Sequence, residues 1–430
     1  MIQELKKNFK SFVNQYQPKL DDEKKRIEAF KDFEKRGFPN KKLEDWKFSD
    51  FSSIISNKIE NIKVSLKKNK NFKFENFIKD FDHTKIFFFN GFFVEKGEEF
   101  DEKKGFSHAT SYNGLKGNFS KDGGFLILPN SNNALESLNN AFFTDGLSIA
   151  TKENFEFKKP IIIYNIFEGS KKNNFFNNKI HFVISENSKL DIMIYNINIG
   201  KEPIFFNLKN TFHLEKNSIL KLYNLSDFKK NDVHYNFGRY FLEANSIFEN
   251  FNNCYTGGFS KSDLVCGLNK EYSSCFINGV MLAQDQQHHE IKTQINHNEK
   301  NTKSYQKVKS VLNNNSKGVF QGKIKVNPEA QKTDGYQLSK ALLLDKDSEF
   351  DSKPELEIYA DDVKCSHGST SGNLDEESIF YLMSRGLNKH EAKKLLIKGF
   401  LNDAIETITN NEIKKYFFNF IICNSFYSII

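Results

Sequence analysis

A five-residue string does most to limit what this chain can fold into. Ile or Leu, two variable residues, Asn or Asp and then Ser occur in that order as ISENS at 184–188, LEKNS at 214–218, LEANS at 242–246, LNNNS at 312–316 and LDKDS at 344–348. Successive serines stand 30, 28, 70 and 32 residues apart, and a degenerate copy, LNKEYSS at 268–274, divides the long interval. Around the copies lie short runs such as KIHFVIS, KLDIMIYNI, ILKLYNL and RYFLEA, which read as strands. Asn and Asp tolerate left-handed backbone angles and bond their own main chain, so the string is a turn. A turn returning about every thirty residues between strands predicts stacked coils, because a single coil cannot bury its own apolar face. The expected core is a β-helix or β-solenoid, with a large double-sheet sandwich as the competing architecture.

Helices are expected on both sides of this core. Leu5, Phe9, Phe12, Val13 and Tyr16 recur at three- and four-residue spacing, Ile27, Phe30 and Phe33 continue the pattern, and Gly37 stops it. GFPNKKLEDWKFSDF then turns at a proline into a short segment holding the sole tryptophan, Trp46. Residues 60–125 are ambiguous apart from KIFFFNGFFV, a strand and a turn. Beyond residue 373, NLDEESIFYLMSRG predicts a helix ending at Gly386. Asn388 and Glu391 have capping-box spacing ahead of a second helix whose apolar face runs Ala392, Leu395, Leu396, Phe400, Ala404, Ile405 and Ile408. The chain is thus expected to be mainly β, divided into residues 1–125 (N-terminal helical or mixed), 126–372 (β core) and 373–430 (C-terminal helical).

Composition removes several function classes. The net charge of +7 comes from 62 basic and 55 acidic residues interleaved along the chain, without the concentrated patch that nucleic-acid binding needs. The start, MIQELKKNFK, lacks the apolar run of a signal peptide, so a cytoplasmic location is expected. YFFNFIICNSFYSII, the longest apolar run, has 15 residues including Asn419 and Asn424, and reads as a packed helix, not a membrane span. The five cysteines, Cys254, Cys266, Cys275, Cys365 and Cys423, are odd in number and contain no C-x-x-C pair, which predicts free thiols in a reducing compartment.

The chemistry-bearing stretch is EIYADDVKCSHG at 357–368. In an extended strand, Tyr359, Asp361, Val363, Cys365 and His367 share one side, so Cys365 and His367 offer a thiolate and an imidazole toward one external point. Two donors are half of a tetrahedral zinc or iron site, so any metal here needs ligands from elsewhere, such as a second chain. The plainer reading is a packed cysteine and a turn histidine. His288, His289, Glu290 and His297 match no standard metal spacing, and alternating exposed and buried histidines account for them equally well. Asp351, Asp361 and Asp362 are the carboxylates from which a polysaccharide hydrolase pair would have to come. Nucleotide-binding, zinc-protease and serine-hydrolase strings are absent.

Residues 319–387 carry a resemblance. The pattern F-x-G-x-I-x-V, then A-Q-K-T-D-x-x-Q, then K-P-x-L-E-I-Y-A-D-D-V-K-C-x-H-G and L-D-E-E-x-x-F-Y-L-x-S-R-G resembles the C-terminal signature of the SufB/SufD family, in particular its SufD branch. These are scaffold subunits of the SUF system for iron–sulfur cluster assembly. GFPNKKLEDWKFSDF, LNNAFFTDGLSI and HHEIKTQINHNEKNTKSYQKVKSVL resemble upstream segments of the family. Ser369 and Ser371 depart from its usual Ala and Val, and the tail is unusually aromatic.

The resemblance implies a right-handed parallel β-helix between helical domains and a non-catalytic scaffold that pairs with SufB and binds the ATPase SufC. A homodimer is conceivable in isolation. His367 matches the family histidine placed at the SufB–SufD interface, where a transient cluster or iron is held jointly with the partner; no permanently bound cofactor is expected. Cys365 matches a neighbouring family cysteine, with Asp361, Asp362 and Lys364 as interface candidates. Leu374–Phe400 is implied as the SufC surface, through Phe380, Tyr381, Arg385, Leu395, Leu396 and Phe400. A SufB-like sulfur-accepting paralogue is the nearest alternative and a β-helix polysaccharide hydrolase a more distant one.

Overall fold

A computed structural model describes residues 2–16, 20–64, 77–96, 105–111 and 133–429. The chain is mainly β, a solenoid of about eight turns flanked by N- and C-terminal helices. Each turn contributes one strand to each of two sheets, of ten and nine strands among the described residues. Within a sheet the solenoid strands are parallel and in register, as where Lys189, Ile219, Ile247, Ser274, Lys303, Asp334 and Lys364 lie side by side.

The recurring turn explains this register. In its first three copies, Asn187, Asn217 and Asn245 adopt left-handed angles with φ of 57°, which asparagine accepts at little cost. The hydroxyls of Ser218 and Ser246 donate to the carbonyls of Glu215 and Glu243 three residues back, at 2.6 and 2.7 Å. Tyr272 takes the left-handed position in the degenerate copy, and Ser273 donates to the Lys270 carbonyl. The sequence series nevertheless mixed two corners of the coil. The corner row continues not at LNNNS and LDKDS but at Thr302 and Thr333, whose hydroxyls donate to the carbonyls of Glu299 and Ala330. Ser316 and Ser348 instead precede the strands Lys317–Val326 and Glu349–Ile358 of the other sheet. A search restricted to serine could not follow a row that changes to threonine.

The helices cover the outer faces of both sheets. Helices Ile2–Tyr16, Leu20–Arg36 and Ala134–Phe142 pack Phe9, Phe12, Phe30 and Phe142 against Phe175, Phe205 and Tyr235 of the nine-stranded sheet. Helices Lys389–Ile405 and Asn411–Ile429 set Ile397, Leu401, Ile405, Phe417 and Ile421 against Tyr195, Tyr223, Phe251 and Val280 of the ten-stranded sheet. The capping box at Asn388 and Glu391 is present. Of the expected face, Ala392, Ala404, Ile405 and Ile408 are buried, but Leu395 is exposed, and Ile397 and Leu401 meet the sheet in its place. Asn90 and Gly91, both at positive φ, turn KIFFFNGFFV into the hairpin Thr84–Phe89 and Phe92–Lys96, which joins the ten-stranded sheet. Among the described residues no helix is long and apolar enough to cross a membrane.

The GFPNKKLEDWKFSDF segment ties the N-terminal helices to the solenoid. Trp46 is buried, and the Lys261 ammonium sits 4.0 Å from its ring centre. Lys261 also donates to the Asp45 carbonyl at 2.7 Å and pairs with Glu290 at 2.7 Å, both charged groups being fully enclosed. Burial alone would raise the Glu290 carboxyl, but Lys261 and His288 outweigh it and bring it down to about 2.

Candidate functional site

The solenoid ends unequally. At its first coils the outermost strands are antiparallel additions, Phe92–Lys96 on one sheet and Phe106–Ser111 on the other. At the far end Glu349–Ile358 and Lys364–Gly372 are the last strands of their sheets, and each leaves one edge unpaired among the described residues. Lys364 donates its amide to the Thr333 carbonyl. By the alternation of a parallel ladder, the backbone groups of Cys365, His367, Ser369 and Ser371 therefore point out along the free edge.

EIYADDVKCSHG is not one strand, contrary to the sequence expectation. The first strand stops at Ile358, residues 359–363 turn a corner, and the next strand starts at Lys364. Tyr359 and Asp361 consequently do not share a face with Cys365 and His367. The corner rests on the AQKTD segment one coil below. Gln331 Oε1 accepts from the Asp362 amide at 2.9 Å, and the Lys332 amide donates to the Asp362 carbonyl. Two consecutive acidic residues ahead of a polar strand carry no period that distinguishes a corner from a strand, which is why the sequence missed it.

Cys365 and His367 do share a face, the inner one. Register places Gly335 and Gln337 beneath them and Ser304 and Gln306 beneath those. Cys365 is half-buried against Ile324, Val326, Ala330 and Ala360. Burial raises its thiol above the ordinary range, the Gly335 amide pulls it back, and the Asp334 carboxylate adds to the rise. His367 is exposed, as are Asp361, Asp362 and Lys364. The two side chains thus line the mouth of an open coil, the cysteine seated and the histidine presented. Among the described residues no group of three His, Cys, Asp or Glu is arranged to hold a metal, so the pair is at most half a ligand set.

The other candidates resolve differently. His288 faces outward to Glu290 at 2.9 Å and Ser49 at 3.2 Å. His289 and His297 are buried, and His297 is held by Thr302 at 2.7 Å and Ser304 at 2.9 Å. Burial pushes both imidazoles down to about 3, so they remain neutral. Asp351 is paired with Lys317 at 2.6 Å on the outer face, away from the Asp361 and Asp362 corner. Cys254, Cys266 and Cys275 are buried free thiols; the side chain of Cys423 lies outside the described residues.

A second surface occupies the C-terminal helices. Glu376–Ser384 and Lys389–Ile405 enclose a shallow groove lined by Tyr381, Leu382, Leu395 and Leu396 with Asp375 and Glu377. Phe380 is 74% exposed and Met383 42%, a high exposure for apolar side chains that sit together. Arg385 folds back onto the Tyr381 ring at 5.1 Å. Phe400 turns the other way, beneath Lys309 and toward the sheet.

The family model described as "SUF system FeS cluster assembly, SufBD core domain" matches residues 167–400, and the SufBD N-terminal region model matches 4–163. The chain belongs to the SufBD family. It is 25% identical to the iron–sulfur cluster assembly protein SufD of Escherichia coli over 381 residues, covering 88% of this chain and 87% of that protein. Over 136 residues, 32% of this chain and 31% of its relative, it is 32% identical to SufD of Bacillus subtilis. A SufBD family protein of Pyrococcus horikoshii is 33% identical over 142 residues, 32% of this chain and 31% of that protein. The SufBD solenoid described above is accordingly that of an iron–sulfur cluster assembly protein of the SUF system. The structure places His367 and Cys365, both singled out in the sequence, on one face of the last strand of the ten-stranded sheet.

Proposed function

We propose that this SufBD protein is a non-catalytic scaffold subunit working in the cytoplasm. It pairs with SufB at the open end of its solenoid and docks the ATPase SufC on the C-terminal helices that carry exposed Phe380 and the groove lined by Tyr381, Leu395 and Leu396. The observation that carries this reading is the placement of Cys365 and His367 on the inner face of an edge strand, where a second coil can be laid over them. Free strand edges accept further strands. A half set of donors is completed when the sister chain brings its own.

Iron or a nascent cluster is the cargo of this site. His367 contributes an imidazole lone pair, and Cys365 contributes only after losing a proton that its half-buried position favours keeping. Asp361, Asp362 and Lys364 line the rim. Without SufB the same free edges allow two copies of this chain to pair. Nucleotide-driven closure of two SufC subunits would favour the state in which the pair is sheared open, a population shift set by differential binding.

Co-expression with candidate SufB and SufC chains, followed by anaerobic isolation, tests the reading. The expected result is an intact complex in which His367→Ala lowers iron and sulfide content. Unchanged content in an intact complex removes His367 from the site, and failure to co-purify removes the partnership.

A further inference from the structure

One buried ring beneath the N-terminal helices has two basic side chains on it. The Phe143 ring centre is 4.0 Å from the Arg26 guanidinium and 3.9 Å from the Lys179 Nζ. Phe143 stands where helix Ala134–Phe142 gives way to strand Asp145–Thr151, so helix Leu20–Arg36, that junction and strand Phe175–Ile184 of the nine-stranded sheet meet at this ring. Arg26 is fixed there: its Nε donates to Asp22 at 2.8 Å, and its Nη1 donates to the carbonyls of Ala141 and Phe143 at 3.2 and 2.8 Å. Lys179 is 3% exposed, and its Nζ has no hydrogen-bond partner among the described residues.

The acids around Lys179 are already taken. Lys209, its neighbour in register, pairs with Glu136 at 2.5 Å, and Arg239 holds the second Glu136 oxygen at 3.0 Å. Arg26, Lys209 and Arg239 against Asp22 and Glu136 leave one positive charge in excess before Lys179 is counted. A guanidinium does not give up its proton, and a buried ammonium without a counter-ion or an acceptor is costly. A ring face rewards one nearby cation, but two desolvated positive charges drawn to the same ring repel each other. Burial, Lys209 and Arg26 accordingly push the Lys179 amine well down, against the weaker pull of Asp22 and Glu136.

We propose that Lys179 docks as an uncharged amine, and that lifting the N-terminal helices from the sheet takes up one proton from solvent at its Nζ. In the closed state an amine N–H rests on the Phe143 ring; in the open state water surrounds an ammonium. The open state holds the extra proton, so closure strengthens as pH rises toward the ordinary lysine value of 10.5 and weakens as pH falls, until the closed amine is itself protonated. The N-terminal helices are in this way a proton-coupled cover on the early coils.

The test follows the full chain with 13C- and 15N-labelled lysine. The Lys179 signal is assigned by its loss in Lys179→Met, or in Lys179→Gln where the first variant does not fold. At about pH 7 the signal is expected at the amine position, while exposed lysines change only near 10.5. Closure is read by denaturant titration of Trp46 fluorescence: Trp46 packs on Tyr235, whose hydroxyl accepts from Asn133 at the start of helix Ala134–Phe142. The opening constant of the wild type, divided by that of the variant, is expected to fall by up to about ten-fold per pH unit gained between about pH 6 and pH 9. A ratio independent of pH, or a Lys179 signal at the ammonium position at about pH 7 in the folded chain, overturns the proposal.

Discussion

The first and last coils are built on the same frame and filled differently. In the early coils the interior column Phe182, Phe212 and Tyr240 stacks ring on ring at 5.5 and 5.4 Å, and antiparallel strands cover the sheet ends. In the last coils the ten-stranded sheet turns Ser304, Gln306, Gln337, Ser339, Cys365 and His367 inward, opposite Phe320, Ile324 and Val326 of the other sheet, and no strand covers the end among the described residues. Apolar filling with covered edges stabilises a coil by itself. Polar filling with a bare edge leaves stability on the table in return for a surface that another chain can complete. The stretch with the fullest apolar filling and the stretch proposed to take a partner are thus at opposite ends of the same solenoid.

Truncation of an inner-face side chain in an early coil and in the last one should expose this separation most strongly. Phe212→Ala removes a fully buried ring and is expected to lower unfolding free energy by about 3–5 kcal/mol in a denaturant titration. His367→Ala, at an exposed position, should stay within about 0.5 kcal/mol of the wild type. Equal losses at both sites would erase the contrast.

The Lys261–Glu290 pair sharpens the comparison from the side of charge. The Glu290 carboxyl lies near 2 in the folded protein against an ordinary 4.5. Its contribution is therefore fully present above pH 4.5 and is lost as pH falls from 4.5 toward 2. Tryptophan fluorescence, which reports only Trp46, should follow detachment of the N-terminal segment in that window, and Glu290→Gln should weaken the pH dependence while lowering stability at pH 7. A profile unaltered by Glu290→Gln would assign the acid transition elsewhere.

The smallest effect is expected at the corners. Ser246→Ala removes the hydroxyl bond to the Glu243 carbonyl and should cost about 1 kcal/mol by denaturant titration. An effect of several kcal/mol would mean that the corner hydroxyls carry the solenoid more than its filling does.

The coil was legible in the sequence because a left-handed asparagine and a bonding serine must recur wherever the chain turns in the same way. The row became unreadable where threonine replaced serine and where the opposite corner happened to use a similar string. Cys365 and His367 could be placed on a common face because alternation in a strand is a fixed geometric rule. The corner at 359–363 could not, since the consecutive Asp361 and Asp362 carry no period that separates a turn from a strand. Leu395 illustrates a further limit: a helix with apolar residues on more than one side does not announce which stripe meets the sheet.

Hydrogen–deuterium exchange of the full chain with and without a SufB partner tests the central claim most directly. The expected result is that the amides of Cys365, His367, Ser369 and Ser371, which face the free edge, exchange fast alone and become protected in the complex, while those of the early coils do not change. Protection that appears elsewhere and leaves these four as fast as before would contradict the reading.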